Sequence, residues 1–142
     1  MTDITQRIER GEGSVTGTLD APLQYVTEHF LLSDFICPCC DRLKIVPGFY
    51  RHVGLLERFR RELDFPVIVT SGYRCPEHNA RVGGAPHSWH LLFATDVKPA
   101  DGDPEKIRRM HEAAVRLGFG GIGVYEAHLH LDLRPEPLMW RG

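Results

Sequence analysis

The chain has 142 residues, a quarter of them charged, and a formal net charge of -2 at pH 7. That length suits one domain with a real core, and the slightly acidic balance argues against a nucleic-acid footprint. No apolar run approaches the ~18–20 residues needed to cross a bilayer, and "MTDITQRIERGEGSVTG" lacks the apolar segment of a signal peptide, so a cytoplasmic protein is expected unless another route exports it.

Residues 1–20 are polar and rich in Gly and Thr, which reads as a loose arm before a domain over 21–142. "LQYVTEHFLLSDF" is short and mixed, with room for a helical turn near Ser33 or Asp34. The cysteines are Cys37, Cys39, Cys40 and Cys75. The tight spacing of "CPCC" and the lack of a second C-x-x-C argue against a cysteine-only zinc site. Buried reduced thiols are favoured, with pairing of Cys75 the alternative under oxidising conditions. From Pro47 the pattern turns helical. Phe49, Val53, Leu56, Phe59 and Leu63 share one face, Arg51, Glu57, Arg58 and Arg61 the other, and Pro66 closes the segment. "VIVT" over 67–70 is β-branched and reads as a buried strand.

Gly and Pro punctuate residues 71–88, so this stretch reads as loop with a short helix near Pro76 to Val82. "FATDVKP" is a strand that stops at Pro99. The clearest helix follows. Asp103 caps it, Pro104 and Glu105 suit its first turn, Gly118 ends it, and Ile107, Met110, Ala114 and Leu117 form its inner face. "GGIGVY" and "AHLHLDL" then read as two strands with a turn near Glu126 and Ala127.

Two stretches carry chemistry. In "EAHLHLDLR", strand alternation puts Glu126, His128, His130, Asp132 and Arg134 on one face and Ala127, Leu129, Leu131 and Leu133 on the other. A merely solvated face would favour Lys, Thr or Ser over this reactive set. In "SWHLLFATD", His90 precedes Asp96 inside an otherwise apolar run. His90, Asp96 and one histidine of the late strand make a three-ligand set that leaves a zinc position open for water. Glu126, His128 and Asp132 lie on the right face to move its proton. His87, three residues before His90, is a displaced ligand, a cleft residue or a plain loop histidine. His29, His52, His78 and His111 read as surface or boundary residues.

"SGYR", "HN", "VGG", S-x-H and A-x-D, followed by "GIGVY" and H-x-D-x-R, resemble the zinc D-Ala-D-Ala carboxypeptidases. These belong to the lysostaphin, D-Ala-D-Ala and Hedgehog group of metallopeptidases. The resemblance runs from His29 to Trp140 and is closest to small single-domain members of bacteria and their phages. It implies an α+β Hedgehog/DD-peptidase fold, with a small, mainly antiparallel sheet and helices packed on one face. It implies Zn2+ bound by His90, Asp96 and His130, and Arg74 clamping a peptide carboxylate. Ser88 bonds backbone or a ligand, and Tyr125, which flanks the motifs, is a cleft-wall and substrate-contact candidate or a packing residue. The resemblance implies hydrolysis of peptidoglycan stem peptides by a metal-activated water, as a carboxypeptidase or endopeptidase, and release by a phage-type or other non-classical route.

Two departures stand against the family pattern S-x-H-x-x-G-x-A-x-D. The chain is one residue short between His90 and Asp96, with Phe93 near the place of the family glycine. A shift of one residue flips a strand side chain, so the turn after His90 must absorb the change. The acidic base that relatives carry three residues before the last histidine is here Ala127. Glu126 and His128 are therefore equal candidates for the base, with Asp132 behind them or holding a histidine tautomer. Both departures also favour an alternative, a catalytically weak or inactive zinc-binding module of the same fold. A nucleic-acid binder built on "CPCC" is a third and weaker reading.

Overall fold

A computed structural model describes residues 14–16, 24–44 and 46–142. Its centre is a five-stranded sheet built from β3 (Val67–Ser71), β4 (Ala94–Pro99), β5 (Gly121–Val124), β6 (Leu129–Asp132) and β7 (Leu138–Arg141), ordered β3-β4-β6-β5-β7. All neighbours are antiparallel except β5 and β7. A two-stranded ribbon pairs β1 (Ser14–Thr16) with β2 (Arg42–Lys44). The expected loose arm lies outside the described residues except for Ser14–Thr16, which is strand.

Helix α1 (Gly48–Glu62) presents the face read from its spacing. Phe49, Val53, Leu56 and Phe59 are buried, and Leu63 joins them just beyond its end. Glu57 departs from the expected solvent face. It is buried because its carboxylate accepts from the backbone N–H of His29 at 2.8 Å and pairs with the His29 ring. Six residues form α2 (Pro76–Arg81), opened by Cys75. The third helix, α3 (Ile107–Leu117), is entered through a 3-10 turn (Pro104–Lys106), with Asp103 Oδ1 accepting from Glu105 N at 3.0 Å. Gly118 ends it at φ 83°, a backbone region that costs other residues a Cβ clash.

The α+β architecture expected from the sequence is the one observed. Val53, Leu56 and Phe59 of α1 and Met110, Ala113 and Ala114 of α3 pack in one cluster with Val97, Ile122, Leu129 and Leu131 of the sheet. Burying such side chains stabilises each by roughly 1.5–3 kcal/mol before the entropy of ordering. The residues between these strand positions turn to the opposite face, away from the helices.

Two strand readings need correction. β3 is an edge strand, so Val67 is buried while Ile68 and Thr70 are exposed. β-branched composition suits a strand but cannot say whether both faces are covered. β7 was not anticipated; it adds parallel to the other edge, pairing Gly123 with Trp140.

Candidate active site

The strand register builds the site. Across the helix-free face, Ser71, Asp96, His130, Gly123 and Trp140 occupy one row over all five strands. Gly123 is small for a steric reason, since a Cβ there would lie 2.6 Å from Trp140 Cε2. The indole instead lies beside the His130 ring, with centroids 5.1 Å apart. His90 enters from outside the sheet, on the 3-10 turn Trp89–Leu91, where Ser88 Oγ accepts from His90 N at 3.1 Å.

The shortened segment is absorbed between His90 and Ala94. Leu92 takes an irregular backbone (φ -119°, ψ -93°), and β4 begins at Ala94 in the register that points Asp96 at His90. Phe93 turns inward toward Gly48, and its ring meets those of His52 and Trp89. His52 is itself fully buried rather than at the surface or boundary. It bonds Thr95 Oγ1 at 3.1 Å, and burial pushes its imidazole down from the ordinary 6.5 to about 3.

Three donor atoms converge. His90 Nε2 is 3.1 Å from Asp96 Oδ1, His130 Nδ1 is 3.3 Å from the same oxygen, and the two ring nitrogens are 3.2 Å apart. The remote nitrogens are already committed. His90 Nδ1 lies 2.7 Å from the carbonyl oxygen of Gly72, and His130 Nε2 lies 2.7 Å from Asp132 Oδ2. Both partners only accept, so both remote nitrogens donate. The inner nitrogens of the neutral rings are then bare lone pairs, aimed at each other and at a carboxylate oxygen. Such a centre demands positive charge, from an added proton or from a metal ion. The titration trend agrees. Burial alone would lower the His130 imidazole, but the Asp132 and Asp96 carboxylates raise it. Burial opposes ionisation of Asp96, and its bonds to His130 and His90 outweigh that and hold its carboxyl well below the usual range.

Asp132 is fully buried and accepts from the Arg134 backbone N–H at 2.9 Å, from Nε at 3.0 Å and from Nη2 at 2.7 Å. Burial resists its charge, but His130 and Arg134 hold its carboxyl below the usual range. The Arg134 guanidinium lies 4.9 Å from the Trp140 ring and 5.8 Å from that of Trp89.

A cavity of about 640 Å3 opens over this centre. His90, Asp96 and His130 line it, together with Arg74, Ser88, Tyr125, His128 and His87. Arg74 is held by Ser71 Oγ and Asn79 Oδ1, each at 3.3 Å, with Nη2 3.6 Å from Asp96 Oδ2. His128 stacks on Tyr125 with centroids 4.4 Å apart and planes 3° from parallel. Tyr125 Oη accepts from Trp140 Nε1 at 2.8 Å. Glu126 lies elsewhere: it is exposed in the turn between β5 and β6 and does not line the cavity. The strand begins only at Leu129, so the alternation read back to Glu126 does not extend that far. His87 lines the cavity but is exposed and outside the converging group. Trp140 and Asn79 were not singled out from the sequence. Trp140 lies on the unanticipated β7, while Asn79 sits in the quoted "HN" beside the expected short helix.

On the helix-free face of the sheet, two imidazoles and a carboxylate converge in an arrangement that could hold a metal ion. The family model for Peptidase M15 matches residues 28–132, and the chain belongs to that family. It is thus a metallopeptidase-type hydrolase with a metal-binding centre. No curated protein matches the chain. No helix among the described residues is long and apolar enough to cross a membrane.

Proposed function

We propose that the protein hydrolyses peptide bonds of bacterial peptidoglycan stem peptides, with a terminal D-Ala-D-Ala as the preferred bond, at a zinc ion held by His90, Asp96 and His130. The observation that carries this reading is the meeting of three acceptor atoms with no donor between them. Their separations of 3.1, 3.2 and 3.3 Å suit one small cation. A tetrahedral ion with bonds of about 2.0 Å has an edge of roughly 3.3 Å. When bound, the metal polarises the scissile carbonyl and lowers the pKa of an attacking water.

The chain's own groups supply the rest. Asp132 holds His130 in the tautomer that frees Nδ1, and the Gly72 carbonyl does the same for His90 Nε2. His128 faces the cavity and serves as the base that accepts the water proton and returns it to the leaving amine. Its candidacy exceeds that of Glu126, which is directed to solvent. Arg74 offers a planar fork to the substrate carboxylate, which favours carboxypeptidase over endopeptidase action. Ser88 and Tyr125 border the same space. A phage-type release route would bring the enzyme to the cell wall.

The test is release of D-alanine from purified stem peptides ending in D-Ala-D-Ala. Turnover should disappear in His130→Ala and on chelation. Arg74→Lys should weaken use of peptides with a free carboxylate roughly ten- to a hundredfold, the scale of a lost charge-assisted bond, and leave amidated peptides little changed. Zinc binding without D-alanine or fragment release from intact peptidoglycan would make the protein the inert module instead.

A further inference from the structure

A second group of metal-ligating atoms lies outside the cavity. The Sγ atoms of Cys37, Cys40 and Cys75 all fall within 4.8 Å of one another. Cys39 Sγ is 3.8 Å from Cys75 Sγ, and it groups with Cys75 and Glu77 rather than with Cys37 and Cys40. All four are free thiols. Spacing in the sequence disfavours a cysteine-only site, but the fold brings three of the thiols together. Cys37 and Cys40 are themselves a C-x-x-C pair, and the chain folds back between them, with Asp41 N donating to Cys37 O at 2.9 Å and Asp41 at φ 56°. Cys75, distant in sequence, closes the group from the loop after β3.

Three of the sulfurs also receive an N–H. Cys75 N donates to Cys37 Sγ at 3.4 Å, His78 N to Cys75 Sγ at 3.3 Å, and Arg81 Nη2 to Cys39 Sγ at 2.8 Å. Three N–H donors directed at sulfur suit the thiolate form that a metal ligand takes. The 3.8 Å between Cys39 and Cys75 also resembles the edge of a tetrahedron of sulfurs with zinc–sulfur bonds of about 2.3 Å.

We propose that the converging Cys37, Cys40 and Cys75 bind a structural zinc ion, with Cys39 turning in from beside Cys75 as the fourth thiolate, and that the ion fastens the 37–41 turn to the loop carrying Arg74. Binding releases the thiol protons to solvent and leaves no coordination position open, so the site is structural. Its place explains what it secures. Tyr73 N donates to Phe35 O at 2.9 Å and Arg74 N to His90 O at 2.7 Å. The clasp therefore holds the segment that positions both the Arg74 guanidinium and the Gly72 carbonyl behind His90. It shares no residue with the cavity group.

The experiment uses the full chain, purified reduced, with zinc or Co(II) as the probe. The His90→Ala/His130→Ala variant should retain one equivalent of zinc. Adding Cys37→Ser and Cys75→Ser should remove it. Wild type loaded with Co(II) should display the intense thiolate-to-cobalt charge-transfer absorption of a sulfur-rich tetrahedral site, a readout that holds even if the serine variant does not fold. No retained zinc in the histidine variant, or a cobalt spectrum without sulfur charge transfer, overturns the proposal. Because the histidine variant lacks the cavity donors, failure here is separate from failure of the peptidase reading.

Discussion

Asp96 and His130 are direct partners across β4 and β6, and Asp96 Oδ1 lies 3.3 Å from His130 Nδ1. The sheet itself sets this relationship. Two functional atoms are held at ligand distance by backbone pairing, so neither depends on a mobile loop. The third donor, His90, comes from a turn and needs the Gly72 carbonyl and Ser88 to orient it.

Asp132→Asn is expected to weaken metal binding about 10- to 100-fold, the usual effect of removing a partner that orients a ligand. The amide can offer an N–H to His130 Nε2, which moves the ring proton to Nδ1 and blocks the inner lone pair. Metal titration of the purified variant checks this; unchanged affinity would show that Asp132 does not set the tautomer.

His128→Gln should lower kcat by about 10²–10⁴-fold, the span of general acid–base catalysis, with metal content intact. Glu126→Gln should leave kcat and metal content close to wild type, because the side chain faces solvent. Steady-state kinetics with metal analysis decides between them, and the reverse pattern assigns the base to Glu126.

Gly123→Ala forces the Trp140 indole away, since the new Cβ would meet Cε2 at 2.6 Å. The expected loss of stability is about 1–3 kcal/mol, as for other overpacked positions. Activity should fall as well, because the indole lies beside His130. Denaturant unfolding measures the first effect, and an unchanged midpoint would mean that β7 yields at little cost.

His52 predicts a pH dependence of folding. Burial lowers its pKa from 6.5 to about 3, so between those values the unfolded chain binds a proton that the folded chain excludes. Stability is complete above the unfolded pKa and declines as pH falls through 6.5 toward 3. By pH 5 the loss from this group is about 2 kcal/mol. His52→Gln, which keeps a hydrogen-bonding group near Thr95, should flatten the profile over that window. An equally steep profile in the variant would assign the acid sensitivity to other groups.

The sequence by itself determined the periodic elements and the residue types of the site. The apolar stripe of Phe49, Val53, Leu56 and Phe59 and the Asp103–Gly118 boundaries were legible because helix spacing and capping are local. His90 and Asp96 were legible as candidates because potent polar side chains stand out in an apolar run, and the family resemblance singled out His130 from the late strand. Only the tertiary structure decided how the short His90–Asp96 segment meets its partner, that Glu57 and His52 are buried, that β7 adds beside β5, and that Cys75 joins Cys37 and Cys40. Each of these depends on atoms far apart along the chain. Their meeting is set by strand register, turn geometry and the pairing of buried polar groups, and no local window of residues encodes it.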